Sequence, residues 1–358
     1  MAKITFANKN RQFHLELKSA VEKYFQEHKL KPTGNFTLYF KSLFFIGGTI
    51  TLYVLMLAFN PAWYIVVPMA LLMGVLLAGI GFNVMHDANH GSYSNIKWVN
   101  ELLGLSLNAL GGNAFLWKQK HNIVHHTYTN IEGVDDDIFM PPFLRMSPHQ
   151  KRYKLHKYQH LYMFLMYSIS SVAWIWYQDF SKYFAGKILV TELKKMDWKE
   201  HSIFWLTKSC YIGIYIVLPI ACIGFLKFLL AYVCLNVALS LVLTTVFQLA
   251  HVVEHNEFVA IDHSAAKAEI ENDWAIHQVE TTADFATSNR LVSWFLGGLN
   301  FQVIHHLFPR VSHVHYPRIQ HIIVEVCKKY GIPYKEYNTV YAAVRSHVSM
   351  MRQLGRND

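Results

Sequence analysis

From Ser42 to Met85 the chain carries no Asp, Glu, Lys or Arg. At about 1.5 Å of rise per helical residue, such a run crosses a hydrocarbon layer of roughly 30 Å twice. Asn60-Pro61, near its middle, supplies the turn, so the run reads as a transmembrane hairpin. Ser209 to Ala250 repeats the design with one charge, Lys227, near its centre. Charged residues make up only 16% of the 358-residue chain, which fits one integral membrane body better than two soluble domains. The expected fold is all-α: a single domain over 1–358, with four transmembrane helices in two hairpins at about 38–85 and 205–250. Regions 86–200 and 251–358 are then interfacial helices and a cytoplasmic helical cap. The first 35 residues are mixed and charged, so the first span is expected to act as the insertion signal.

The net charge of +9 gathers outside the hairpins, in the first 41 residues, in WKQKH at 117–121, in KRYKLHK at 151–157 and in the C-terminal tail. The positive-inside rule assigns these segments to the cytoplasm of a multi-pass protein, here expected in a bacterial inner membrane. Anchoring at anionic lipid accounts for the charge better than any nucleic-acid role does. Cys210, Cys222, Cys234 and Cys327 have no paired spacing and give no disulfide framework.

With the N-terminus in the cytoplasm, the first hairpin returns there at His86, which opens HDANH. His86 and His90 are four apart and share one face of a continuing helix. The second hairpin returns at Ala250 and opens HVVEH, with His251 and His255 again four apart. ELLGLSLNALGGNAFLW at 101–117 is broken by Gly111-Gly112 and reads as an in-plane or half-entering helix, followed directly by HNIVHH with His121, His125 and His126. LYMFLMYSISSVAWIWY at 161–177 reads as interfacial, because a full span would flip the second hairpin. QVIHH at 302–306 adds Gln302, His305 and His306.

Twelve of the 21 histidines are scattered and read as ordinary hydrogen-bonded residues. The other nine cluster on one predicted side of the membrane. Burying that many imidazoles needs strong partners, and metal ions are the partners neutral imidazole suits. Nine exceed the four ligands of a structural zinc site and fit two ions with open positions. Imidazole alone does not choose among zinc, copper, nickel and iron. A metal-transport relay would spread polar groups through the spans and to both sides, whereas the two long runs contain no histidine.

HDANH, HNIVHHTYTN and NFQVIHHLFP resemble the three histidine boxes of membrane fatty acid desaturases, and Gln302 opening the third box resembles the front-end subgroup. The likeness extends through RMSPHQ, AHVVEH, DWAIHQVETTADFATSN and GGLNFQ and is similar to cyanobacterial delta-6 acyl-lipid desaturases. It implies two iron ions that activate O2 and remove two hydrogens from a fatty acyl lipid or acyl-CoA. His86, His90, His121, His125, His126, His305 and His306 fall on the box ligands and His251 on a further ligand; Gln302 is expected to ligate or order a water, and His255 to be a ninth histidine ligand or a supporting partner. A hydroxylase on the same scaffold is the rival chemistry. No HPGG haem motif occurs, so electrons are expected from a separate ferredoxin or cytochrome b5.

Ligating histidines donate their other N–H to acids or carbonyls, which makes Asp87, Asn89, Glu254 and Asp284 the expected supports. Asp135, Asp136 and Asp137 read as a solvated loop. Lys118 and Lys120 are candidates for a substrate phosphate, though interfacial snorkelling explains them more simply. Trp117 and Trp274 are candidates for lining an acyl tunnel.

Overall fold

A computed structural model of the chain describes residues 3–7, 9–262, 265 and 267–356. Among the described residues, four helices are long and apolar enough to cross a membrane: α1 (Phe36–Phe59), α2 (Trp63–His90), α3 (Trp198–Ile223) and α4 (Phe225–His251). α1 opens on Asn35, whose side chain accepts the Thr37 N–H, and ends at Asn60 in the left-handed conformation, φ 42°. Gly224, φ 80°, makes the second turn. Lys227, the lone charge of the second run, sits just past that turn and donates to Asn60 Oδ1 at 2.6 Å and to the Pro61 carbonyl at 3.1 Å. The tips of the two hairpins are therefore tied together.

α2 and α4 form the inner pair. A Cβ at Gly74 on α2 would lie 2.4 Å from the Leu235 carbonyl oxygen on α4, so glycine is what lets these backbones approach. α1 and α3 are outer helices that expose Phe36, Leu43, Trp198 and Leu206. The helices outrun the charge-free stretches that predict them. These extensions carry His86, His90 and His251 out of the apolar runs.

Between the hairpins the expected breaks are present. The 101–117 stretch becomes Lys97–Gly104, Ser106–Ala109 and Ala114–Trp117, interrupted at Gly111, φ 94°. The 161–177 stretch divides into Gln159–Tyr167, Ser170–Ala173 and a π-helical turn at Trp174–Gln178, and none of these is a span. The cap closes over the histidine end. Helix Arg11–Glu27 buries Phe13, Leu17, Val21 and Phe25, one residue per turn along a single face, against Ile319 and Ile323 of Tyr316–Lys329. Short two-stranded pairs, such as Lys3–Phe6 with Lys267–Ile270 in parallel register, supplement the helical fold.

Candidate metal centre

Local helix geometry aims each histidine. His86 and His90 stand one turn apart at the end of α2, directly after a π-helical turn at Gly81–Met85. A second π-helical segment, Lys118–His125, carries the middle box. With i→i+5 bonding, residues five apart come into line. His121 and His126 accordingly meet with their Nε2 atoms 3.3 Å apart. His251 is the last residue of α4, and His305 and His306 share the helix Gln302–Leu307.

The imidazoles form two groups. His86, His90, His121 and His305 make one, and His125, His251 and His306 the other; within each, one ligand atom per residue lies within 4.8 Å of the rest. His126 sits between the groups, with ring centroids 4.6 Å from His305 and 4.4 Å from His306. All eight are buried. Among the described residues, Nε2 of His86, His90, His125, His305 and His306, both nitrogens of His251, Nδ1 of His126 and Oε1 of Gln302 have no hydrogen-bond partner. Leaving one buried polar atom unmet costs about 1–3 kcal/mol. Unmet nitrogens gathered in two compact groups, one ligand atom per residue, fit metal ions.

The outward nitrogens explain which lone pair faces in. His125 Nδ1 donates to Asp135 Oδ2 at 3.0 Å, His306 Nδ1 to Gln278 Oε1 at 2.8 Å, and His305 Nδ1 lies 3.3 Å from the Tyr316 hydroxyl. The oxygens of Asp135 and Gln278 only accept, so those two bonds make Nδ1 the donor in His125 and His306 and leave Nε2 free. Burial, reinforced by the neighbouring imidazoles, pushes His121, His126, His305 and His306 well below the usual imidazole range, so they are neutral donors. Burial also pushes His125 down, but the Asp135 and Asp137 carboxylates outweigh it and raise this one ring.

Several sequence expectations need correction. His255 is exposed, with φ 73°, and stands outside both groups. The cause is a helix end: the His251 carbonyl accepts from Asn130 Nδ2 at 3.1 Å and Asn256 Nδ2 at 3.2 Å, so α4 stops and four-residue spacing no longer means one face. Glu254 turns to the C-terminal helix, where it accepts from Ser349 Oγ and Gln353 Nε2. Asn89 donates to the Gly104 carbonyl and to no box histidine. Asp87 lies 3.0 Å from His313 Nδ1 and accepts from Ser312 Oγ, tying α2 to the loop after the third box. Asp284 supports His305 and His306 only indirectly: it accepts the Val303 N–H and the Tyr334 hydroxyl, and burial pushes its carboxyl up to about 8.

The aspartate run is no solvated loop. Asp135 is fully buried on His125, while Asp136 and Asp137 pair with Lys120 at 3.6 and 2.5 Å. Lys120 is thereby neutralised rather than free for a phosphate, and Lys118 is half-buried. Trp274 donates to the His126 carbonyl at 3.0 Å and lines no part of the cavity, whereas Trp117 does and stacks on His121 at 4.3 Å. Gln278, Thr129 and Tyr316 went unassigned in the sequence. Gln278 and Thr129 carry one signal, their position within the motif-like stretches, whereas Tyr316 lies outside them, eleven residues past its partner His305.

A cavity of about 230 Å³ opens beside the first group. His86, His121 and Gln302 face it, and Phe82, Leu107, Leu239, Leu243 and Phe247 make its apolar walls. A neutral imidazole cluster thus borders a space suited to hydrocarbon.

Residues 61–338 match the family model described as fatty acid desaturase. The chain is 35% identical to the sn-1 linoleoyl-lipid 6-desaturase of Synechocystis sp., over 99% of this chain and 98% of that protein. It is 32% identical to the protein of the same name from Arthrospira platensis, over 99% and 96%. It is also 35% identical to an acyl-lipid (8-3)-desaturase of Physcomitrium patens, over 97% of this chain and 72% of the relative.

Proposed function

Since the chain belongs to the fatty acid desaturase family, we propose that it is a front-end, delta-6-like acyl-lipid desaturase whose two histidine groups hold two iron ions. The family makes it an integral membrane oxidoreductase acting on fatty acyl lipid. The observation that carries the finer reading is the set of unpartnered nitrogens in the two histidine groups, beside a cavity whose walls are largely apolar. His86, His90, His121 and His305 would hold one ion and His125, His251 and His306 the other, with His126 between them and Gln302 at the cavity edge. Iron bound there would supply the oxidising power that, with O2 and two external electrons, removes two hydrogens from the chain. The protein's own part is to keep the donors neutral, exclude water and hold the hydrocarbon at one register. One catalytic domain over 1–358 serves this role, and its electrons come from a separate ferredoxin or cytochrome b5.

The test is a fatty-acid profile, by gas chromatography and mass spectrometry, of host cells that express the chain with a ferredoxin system and are fed linoleate. A new polyunsaturated product carrying its extra bond on the carboxyl side of the existing ones is the expected result. A hydroxylated product would overturn desaturation in favour of oxygen insertion, and a new bond on the methyl side would overturn the front-end assignment.

The same reading places the histidine face in the cytoplasm. Reporters fused after Lys157 and at the C-terminus are both expected to read cytoplasmic, as the basic segments beside them imply. A periplasmic signal at either position would break that topology.

A further inference from the structure

Outside the histidine cluster, one buried ion pair grips the cavity wall. Lys208 lies on α3 and is 4% exposed. An ammonium in a membrane-spanning helix demands partners. Its Nζ donates to Asp179 Oδ2 at 2.9 Å and to the carbonyl oxygens of Gly111 at 2.6 Å and Ile175 at 2.9 Å. The other carboxylate oxygen, Asp179 Oδ1, accepts from Trp174 Nε1 at 3.0 Å. The three lysine donors and both carboxylate oxygens are thus engaged.

These contacts converge on the cavity, since Gly112, Trp174 and Ile175 all line it. Gly111 has φ 94°, and a Cβ there would lie 2.7 Å from Tyr211 Cε2, so the wall is held close to α3. Trp174 packs in one cluster with Met85, Leu107 and Trp117. Trp117 in turn stacks on His121, with rings 4.3 Å apart and 25° from parallel. A continuous path of contacts therefore runs from the ion pair to the metal centre. An apolar pair could fill the same volume, but it would not orient an indole through its N–H.

We propose that the Lys208–Asp179 pair fixes Trp174 as the wall that sets the register of the acyl chain, and so which carbons lie beside the histidines. Trp174 is the specificity determinant; Lys208 and Asp179 are positioning residues. The assignment rests on the reading of this cavity as the acyl site. Removing either charged partner strands the other in an apolar setting and risks misfolding, so the test is made on Trp174.

Full-length Trp174→Ala and Trp174→Phe variants are expressed with the electron donor and fed acyl chains of graded length. The products are resolved by chain length and bond position. Shape changes of a methylene or more in an apolar pocket shift discrimination by roughly 10-fold or more. Trp174→Ala is therefore expected to change the ratio of products by about tenfold. Trp174→Phe, which keeps a ring and loses only the indole N–H anchor and part of its area, moves that ratio in the same direction by a smaller factor. Leu243→Trp, which fills the cavity from α4, is the control and is expected to stop turnover of every chain. If Leu243→Trp is inactive while both Trp174 variants keep the wild-type ratio, whatever their total turnover, the register assignment is overturned and the cavity reading stands. If Leu243→Trp keeps full activity, the cavity is not the acyl site and both readings fall.

Discussion

Replacing His305 with alanine is expected to lower turnover by more than about 100-fold, because losing even an outer partner of a metal-bound histidine typically costs 10–100-fold. His305 stands with His86, His90 and His121, and its ring centroid is 4.4 Å from that of His86. Its removal leaves that group with three imidazoles and opens a gap beside His126, where the two groups meet. Iron in detergent-purified protein should fall from about two ions per chain toward one, while membrane insertion, set by the apolar spans, is unchanged. His255→Ala is the matched control. It should keep activity within about twofold, as surface substitutions away from such features generally do. Iron content and turnover both retained in His305→Ala would sink the ligand assignment.

Asp135→Asn tests the support beneath a ligand. The carboxylate accepts from His125 Nδ1 at 3.0 Å, from the Asn130 N–H at 2.9 Å and from the Asp137 N–H at 3.0 Å. It therefore fixes the His125 ring and shapes the turn that follows the second box. Asparagine keeps the volume but loses the charge and offers only one acceptor oxygen. The expected loss is about 10–100-fold in iron affinity, with a matching fall in turnover. Iron titration of the purified variant measures it directly, and an unchanged affinity would return Asp135 to a folding role. The surrounding charges weigh for the smaller figure: Asp137 is held by Lys120 through Oδ1, but its Oδ2 lies 3.5 Å from His125 Nδ1 and can take over part of the role.

How much of this was legible depended on the distance over which each feature is encoded. The spans and their turns were readable because hydrocarbon thickness is matched by uninterrupted local runs, as at Ser42 to Met85, and because Asn60-Pro61 marks its own break. The box histidines were readable because helical spacing puts neighbours in a six-residue window on a shared face. Even there the π-helical turn at Lys118–His125 added what spacing did not foresee, the meeting of His121 with His126.

The sequence by itself determined that this chain spans a membrane and gathers imidazoles at one end, since both follow from solvation and short-range periodicity. Only the tertiary structure decided which polar residues serve them. The end of α4 at His251, and with it the exclusion of His255, depends on Asn130, which is 121 residues away. Gln278 on His306, Asp179 on Lys208 and Asp87 beside His313 are likewise pairings across the fold. A buried hydrogen bond is strong only when its partner is brought into a low-dielectric interior. That placement belongs to packing, which no local stretch of residues encodes.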